Sequence, residues 1–466
     1  VEHRAELGAL ITDFTMIRPG ALHRANGGYL ILDVLKVLMQ PFAWEGLKRT
    51  LQAGEIRIES LAQLMSIVST VSLEPEPIPL SIKVILLGEP HIYYLLSLYD
   101  PEFNELFKVA VDFDDDVERS PENVEAYAEL VKARVGDNDL LPFDTSALKR
   151  VIEQRARQAD DSERLSMNIR SLDDLLVESD YWARQRAAKR VAAEDIVAAI
   201  EHKKKRLGRV QSRVYDSIER ETLLIDTEGE RVGQVNGLSV LQLGDYRFGH
   251  PVRITATTRI GSGGVVDIER EVKLGGAIHS KGVMILSSAL SARYVPETPL
   301  SLSASIVFEQ TYGGVDGDSA SVAEFCALLS SIAEVPIRQG IACTGSVNQL
   351  GRVQAVGGVN EKIEGFFEIC RRRGLDGSHG VIIPADNVKH LMLREDVVAA
   401  VRESKFAVFA IGHIDDALEL LTGRTAGRRG NDGLFPADTV NRAVEDKLIS
   451  YAQRRKQFAA TETSGE

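Results

Sequence analysis

The sequence is short of the features that mark secreted, membrane-spanning and metal-clustered proteins. Its 466 residues contain three cysteines, Cys326, Cys343 and Cys370, which lie far apart in apolar surroundings. An odd number of such residues predicts reduced core thiols in a cytoplasmic protein rather than a disulfide framework. No apolar run approaches the ~18 residues of a membrane helix, and the nine histidines show no paired metal-ligand spacing. We therefore predict neither contact with a membrane nor a structural metal.

Positive charge is also in short supply. The formal net charge is −13, from 55 lysines and arginines against 68 acidic residues. A general nucleic-acid binder would carry a basic footprint. Two basic runs, Lys203–Arg206 and Arg371–Arg373, suggest a nucleic-acid-associated regulator as an alternative, but each flanks a helical pattern and is typical of a solvated helix end. We expect no nucleic acid among the partners.

The sequence contains no phosphate-binding loop of the form GxxxxGK[ST]. The glycine-rich stretch Gly261–Val266 has no lysine and lies among strand patterns, so it predicts a turn. The sequence also begins at Val1, without an initiator methionine and in what reads as the middle of a domain. We expect that an N-terminal part of a longer protein is missing.

Four segments follow from the pattern of apolar residues, and they predict an α/β plus α+β fold. Segment 1–119 alternates helical patterns with continuous apolar strands, which favours a parallel α/β sheet. Segment 120–206 is helical and begins with a serine cap and a proline. Segment 207–424 is rich in glycine and in β-branched alternation around two clear helices, and is typical of an α+β domain. Segment 425–466 is a charged tail, which we expect to be flexible at both ends.

The stretch YGGVDGDSAS, residues 312–321, leads into the first of these helices, predicted over Ser319–Val335. Free backbone N–H groups at a helix start favour negative charge, so a serine there could lie beside an oxyanion hole. A serine hydroxyl needs a base, and no histidine stands in a recognised nucleophile motif. The simpler interpretation is that Ser319 only caps the helix.

The second clear helix, predicted over Asn360–Arg373, supplies a lysine that could be that base. Apolar residues at positions 359, 363, 366, 367 and 370 form one face, and Lys362 borders it. Burial lowers the pKa of a lysine and makes it able to accept a proton. Lys362 could equally be a solvated residue on the polar face.

Several motifs together resemble the proteolytic domain of Lon proteases between Leu207 and Leu421. They are the Gly-Asp-Ser-Ala-Ser segment, the run from Thr344 to Lys362 and the upstream KGVMIL, and the Asp-Gly-Asp-Ser-Ala-Ser wording is similar to the B-type branch.

This resemblance implies a Ser–Lys dyad. It places the nucleophile at Ser319, the general base at Lys362, and at Thr344 a hydroxyl that hydrogen-bonds the lysine. Asp316 matches an acidic residue of B-type sites, although an aspartate between glycines is also at home in a plain turn.

The first segment resembles a diverged AAA+ module. Asp33 matches the acid that organises Mg²⁺ around a nucleotide, but the next position, where a glutamate should activate water, is Val34. Lys108 stands near the expected arginine finger and Arg170 in a sensor-like helix of the lid. Each of these also fits a surface salt-bridge residue.

The resemblance therefore implies a partial AAA+ α/β core, a helical lid and an α+β Lon proteolytic domain. We expect a cytoplasmic serine endopeptidase that hydrolyses unfolded proteins or peptides and forms a homo-oligomer, a hexamer by family resemblance. Peptide hydrolysis would need no cofactor, and ATP with Mg²⁺ would concern only a full-length protein. The alternative is a proteolytically weak, chaperone-like or scaffolding ring.

Overall fold

The computed structural model describes residues 4–6, 9–11, 13–57, 75–261, 264–311, 313–431 and 433–463. The chain divides into two compact units, Val1–Asp114 and Asp115–Glu466. Each unit is described by itself.

The first unit contains a pair of parallel strands, Tyr29–Asp33 and Lys83–Leu87, in a register that sets Asp33 opposite Leu87. A small aromatic core lies beside them, where the ring of Trp44 stacks on that of Phe107 at 5.9 Å. The other strands and helices are Arg4–Glu6, Ala9–Ile11, the 3-10 helix Phe14–Met16, Ala21–Ala25, Val34–Leu38, Ala43–Ala53, Glu55–Ile56, Ile78–Pro79, Pro90–Tyr99 and Phe103–Leu106.

A helical domain begins the second unit. Its helix Pro121–Asp137 starts as the sequence predicts: the Ser120 hydroxyl accepts the Asn123 N–H at 3.2 Å, and proline occupies the first turn, where its missing N–H costs nothing. Its other elements are the antiparallel strands Asp116–Glu118 and Arg164–Ser166 and the helices Thr145–Gln158, Ile169–Gln185 and Ala193–Leu207. The next helix, Arg209–Glu219, packs instead with Phe248 and Ile369.

A seven-stranded mixed sheet forms the centre of the second unit. In spatial order its strands are Gly264–Asp267, Leu302–Phe308, Tyr246–Ile260, Gln234–Leu243, Ile341–Cys343, Gly380–Pro384 and Ala407–Ile411. Residues that alternate along a strand face opposite sides of the sheet. Accordingly Cys343 and Ile382 belong to one core cluster, whereas their neighbours Ala342 and Val381 belong to another.

Two helices cover these two faces, and they carry the residues of the site. The helix Ser321–Ala333, called here the serine helix, belongs to the first cluster. The helix Val359–Arg373, called here the lysine helix, belongs to the second. The strand Ile341–Cys343 ends between them, so residues just after Cys343 lie where both helices begin.

The lysine helix lies unusually close to the strand Tyr246–Ile260. A Cβ atom on Gly365 would lie 2.2 Å from the Gly249 carbonyl oxygen, and one on Gly249 would lie 2.1 Å from the Glu361 carbonyl oxygen. Two glycines are therefore needed where helix and strand meet.

The segment expected to be a tail contributes to the main core. Ala426 and Phe435 are buried, and the helix Val440–Thr463 buries Val444 and Leu448 against the cluster that contains the serine helix. The buried apolar side chains of this segment therefore hold it against the core that contains the serine helix.

The second unit also contains several shorter elements. They are the strands Glu230–Arg231, Ile337–Arg338, Ser346–Val347 and Val353–Gln354, the 3-10 helix Ala385–His390, and the helices Ile268–Glu271, Ala277–Tyr294, Glu395–Arg402 and Ile414–Thr422. Within the described parts of the chain, no helix combines the length and apolar character needed to cross a bilayer.

Candidate active site

Ser319 lies in a turn immediately before the serine helix. We expected the helix to start at Ser319 and end at Val335, but it covers Ser321–Ala333. The difference at the start has a clear cause. The Ser319 carbonyl accepts hydrogen bonds from the Gly345 N–H at 2.8 Å and from the Thr344 hydroxyl at 3.0 Å, so the helical ladder begins with Ala320 as the first acceptor instead.

The turn places the Ser319 side chain toward the lysine helix. Gly317, just before it, has φ +95°, a conformation that only glycine adopts without strain. Tyr312, the first residue of the glycine-rich stretch, lies outside the described residues. The Ser319 and Ala320 N–H groups donate to no acceptor within the described part of the chain. Two unused donors beside a serine hydroxyl could serve as an oxyanion hole.

Lys362 lies in the first turn of the lysine helix, which begins at Val359, one residue earlier than predicted. Its side chain is 3% exposed, so it belongs to the buried face and not to the solvated one. The Lys362 Nζ atom lies 3.0 Å from Ser319 Oγ and 3.0 Å from Thr344 Oγ1. The structure therefore brings Ser319, Lys362 and Thr344 into one hydrogen-bonded group.

Burial changes the protonation behaviour of this lysine. Desolvation lowers the pKa of Lys362 to about 8, against the smaller opposing effect of the negative charges of Asp318 and Glu361. A substantial fraction of the amine is then neutral near pH 8, and a neutral amine can accept a proton.

Asp318 is a charged neighbour that sequence reasoning did not single out. Its Oδ2 atom accepts a hydrogen bond from Ser346 Oγ at 2.7 Å, and its carbonyl accepts one from the Ser321 hydroxyl at 2.5 Å. The sequence signal that could have identified Asp318 is its position directly before Ser319 in the Gly-Asp-Ser motif. Asp316 makes a different contact: its Oδ1 accepts the Gly317 N–H at 2.8 Å, as in a plain turn, and it is not bonded to Ser319 or Lys362.

A network of ion pairs joins the helical domain to the lysine helix. Arg157, at the end of the helix Thr145–Gln158, contacts Glu361 Oε1 at 2.8 Å and Glu364 Oε1 at 2.7 Å. Arg247 bridges Asp160 at 2.6 Å and Glu361 at 3.4 Å. Glu361 is the residue before Lys362, so the helical domain contacts the lysine helix directly beside Lys362.

The predicted nucleotide-site residues do not form a site for ATP and Mg²⁺ among the described residues. Asp33 ends its strand, and its side chain accepts the Lys36 N–H at 3.1 Å. Val34 is buried against Gly88, and Lys108 is exposed outside any helix or strand. With a buried apolar residue where a water-activating base would stand, these residues do not fit hydrolysis of the nucleotide. Arg170, in the second unit, is an exposed residue in the first turn of its helix.

Comparison with known protein families agrees with this architecture. A family model of the Lon protease C-terminal proteolytic domain matches residues 226–423. A model of the LonB-like AAA domain matches residues 1–114, and a model of the archaeal LonB AAA+ ATPase lid domain matches residues 142–206.

Individual relatives point the same way. A protein named as a homolog of Lon protease in Escherichia coli is 40% identical over 450 residues, which cover 94% of this chain and 73% of that protein. A Haemophilus influenzae protein of the same name is 35% identical over 449 residues, covering 94% and 72%. The archaeal Lon protease of Archaeoglobus fulgidus is 27% identical over 410 residues, covering 86% and 62%.

The described fold is mixed α/β, with an AAA-like region and a Lon protease domain. Taken with the identity to the Escherichia coli protein along nearly the whole chain, these matches establish that the chain belongs to the Lon protease family.

Proposed function

We propose that this protein is a serine endopeptidase that hydrolyses peptide bonds of unfolded proteins through a dyad of Ser319 and Lys362. The observation that carries the proposal is the 3.0 Å contact between Lys362 Nζ and Ser319 Oγ at a buried position. This is within the reach required for proton transfer, about 2.6–3.2 Å.

Thr344 orients the Lys362 amine for proton transfer from Ser319. Its hydroxyl proton is directed at the Ser319 carbonyl oxygen, so its oxygen can only accept from Lys362 Nζ. A neutral amine has two N–H groups and one lone pair. With one N–H held by Thr344, the lone pair can turn toward the Ser319 hydroxyl.

The reaction then proceeds through an acyl-enzyme. Lys362 removes the Ser319 proton as Oγ attacks the carbonyl carbon of the peptide bond. The Ser319 and Ala320 N–H groups stabilise the oxyanion that forms. The lysine ammonium returns the proton to the leaving amine, and water repeats the sequence to release the acyl group.

We further propose a homo-oligomer, a hexamer by family resemblance, in the cytoplasm. Peptide hydrolysis in this scheme needs no cofactor. ATP hydrolysis by this chain would be weak or absent, because Val34 has no group that can activate water.

The experiment that tests the proposal measures cleavage of casein and of a fluorogenic peptide by the wild type and by Ser319→Ala. We expect the substitution to lower cleavage by about 10³-fold or more, since it removes the nucleophile. Ser331→Ala is the matched control. Ser331 belongs to the same helix but contacts Thr258 at 3.1 Å, outside the dyad, and its variant should keep wild-type activity.

Equal cleavage by Ser319→Ala and wild type would refute the dyad. The alternative, a proteolytically weak chaperone-like or scaffolding ring, would instead give no cleavage by any variant together with suppression of the aggregation of an unfolded client protein.

A further inference from the structure

A second group of buried polar side chains lies apart from the dyad. Asp267 ends the strand Gly264–Asp267, Glu269 lies in the helix Ile268–Glu271, and His279 lies in the helix Ala277–Tyr294. They are 4%, 3% and 1% exposed. One ligand atom from each, a carboxylate oxygen or an imidazole nitrogen, lies within 4.8 Å of the other two.

Among the described residues, two carboxylate oxygens in this group receive no hydrogen bond from the backbone or from a basic side chain. Glu269 Oε1 accepts the Phe308 N–H at 2.8 Å, but its Oε2 is buried without a partner within the described residues. Asp267 Oδ1 lies 3.3 Å from His279 Nε2 and is hydrogen-bonded to it, whereas Asp267 Oδ2 has no hydrogen bond there. Leaving a buried carboxylate oxygen unpaired is costly, so such atoms call for a ligand.

The group also contains more carboxyl groups than basic ones. A third carboxylate, that of Glu324 in the serine helix, is 1% exposed and lies with Oε1 3.7 Å from His279 Nδ1. Among the described residues no lysine or arginine forms an ion pair with Asp267, Glu269 or Glu324. Within the described ranges, three buried carboxyl groups therefore have one histidine as their only basic partner.

We propose that Asp267, Glu269 and His279 bind one divalent transition-metal cation. The Asp267 Oδ2 and His279 Nε2 atoms are 3.2 Å apart, and two ligands on a tetrahedral ion with bonds of about 2.0 Å lie about 3.3 Å apart. Glu324 faces the other ring nitrogen. It would accept the Nδ1–H and leave Nε2 free for the metal, as carboxylate partners of metal-bound histidines do.

One imidazole and two carboxylates suit Zn²⁺ or Mn²⁺ better than Ca²⁺, which prefers oxygen ligands alone. The sequence expectation of no structural metal depended on the lack of paired histidines. The proposed site needs only one histidine. The fold brings Asp267 and Glu269 close to His279, which follows Glu269 by ten positions in the sequence.

The position of the group gives the cation a role. The N–H of Gly276 donates to the Val315 carbonyl at 2.8 Å, and the Val315 N–H donates to the Leu274 carbonyl at 2.9 Å. Val315 begins the turn that leads to Ser319, and Glu324 lies one turn into the serine helix. A cation here would fix both ends of the segment that positions the nucleophile.

The test is the metal content of the purified full chain. The protein is stripped with EDTA, loaded separately with Zn²⁺ and with Mn²⁺, dialysed and assayed by mass spectrometry. We expect about one equivalent of metal per chain in the wild type and at least a 10-fold lower content in Glu269→Gln, an isosteric change that keeps the bond to the Phe308 N–H. Glu309→Gln, at an exposed position nearby, should bind as the wild type does.

Thermal unfolding provides a second readout. Metal should raise the Tm of the wild type and of Glu309→Gln and leave that of Glu269→Gln unchanged. Asp267→Asn checks the second carboxylate in the same way. Wild-type protein that retains no metal after loading, or equal metal in Glu269→Gln and Glu309→Gln, would overturn the proposal. Neither result depends on peptidase activity, so the dyad is tested separately.

Discussion

At the scale of single residues, Lys362 is an ammonium group in a place that disfavours its charge. Two hydroxyls, those of Ser319 and Thr344, are its hydrogen-bond partners, and no carboxylate forms an ion pair with it within the described residues. A buried cation without a paired anion lowers the stability of the folded state. In the proposed mechanism, the same lack of a paired anion keeps the amine available as a base.

This cost gives a pH-dependent prediction for Lys362→Met. The pKa of Lys362 is about 8 in the folded protein and about 10.4 in an unfolded chain, so between these values the unfolded state holds more protons. The stability of the wild type therefore rises with pH through this window. Below pH 8 both states are protonated and the cost is full, about 3 kcal/mol.

The variant should be more stable than the wild type at pH 7, and the difference in the free energy of unfolding should shrink by pH 10. Denaturant titrations at pH 7, 8.5 and 10 measure it. Lys205→Met, at an exposed site, should show no such trend. A difference for Lys362→Met that stays constant over this range would contradict the burial argument.

The sequence predicted Lys362 as a candidate but did not indicate Asp318. Helical spacing alone put Lys362 at the border of the apolar face, where a buried and a solvated lysine are equally good interpretations. Whether Lys362 is buried depends on the tertiary fold, because the turn that covers it lies around Ser319, 43 residues earlier in the sequence. Asp318 was missed for the same reason: its partner, Ser346, is distant in sequence.

At the scale of elements, the contact between the lysine helix and the strand Tyr246–Ile260 predicts a strong effect for Gly365→Ala. The added Cβ would meet the Gly249 carbonyl oxygen at 2.2 Å, and this oxygen is part of the backbone of a paired strand, so it cannot rotate away. We expect the helix to shift, with a loss of about 1–3 kcal/mol in stability and a fall in peptidase activity because Lys362 moves with it.

Gly136→Ala is the matched control for this change. Gly136 also lies in a helix, but no atom comes within 4 Å of an added Cβ, so alanine should stabilise by about 0.4–1 kcal/mol. Thermal unfolding and peptide cleavage measure both variants. If Gly365→Ala matched the control in both assays, the close contact would not be needed.

The ion pairs of Arg157 predict a further effect between elements. Replacing Arg157 by methionine leaves the largely buried Glu364 without a cation within the described residues, and leaves Glu361 only its longer contact with Arg247. Breaking a buried pair costs about 3–5 kcal/mol. Arg150, on the same helix, pairs with the more exposed Glu153 and Glu395. Arg150→Met should therefore cost less than about 1 kcal/mol. Denaturant titration compares the two, and equal losses would contradict the assigned role of Arg157.

The sequence indicated the elements better than their contacts. The two site helices were predicted within two residues at each end, because their apolar spacing and their glycine-rich approaches are local signals. The link between Arg157 and Glu361 could not be predicted, since an arginine and a glutamate some 200 positions apart carry no mark of their pairing. Nor did the sequence show that Asp267, Glu269 and His279 come together.

At the scale of the whole molecule, the C-terminal helix Val440–Thr463 is part of the protease core. Val440, Val444, Leu448 and Tyr451 are buried in the cluster of the serine helix. Burying each such side chain contributes about 1.5–3 kcal/mol, and together they match the entire stability of an ordinary domain, about 5–15 kcal/mol.

A chain that ends at Gly423 should therefore aggregate or melt at a much lower temperature. A chain that ends at Phe458 keeps all four buried side chains and should behave as the full protein does. Solubility and Tm measure the difference. A soluble, well-folded chain ending at Gly423 would show that the helix Val440–Thr463 is not needed for the stability of the core.

The backbone hydrogen bonds around Ser319 tie it to the strand that precedes Thr344. The Gly345 N–H holds the Ser319 carbonyl, and the Val322 N–H holds the Gly345 carbonyl at 3.1 Å, so Ser319 and Thr344 are parts of one rigid frame. Lys362 lies outside that frame, on the lysine helix, which forms ion pairs with the helical domain. The proposed dyad therefore joins two parts that are held separately, so the distance between Lys362 Nζ and Ser319 Oγ depends on how the lysine helix is packed. A substitution that shifts this helix would change that distance and leave the Ser319 and Ala320 N–H groups in place.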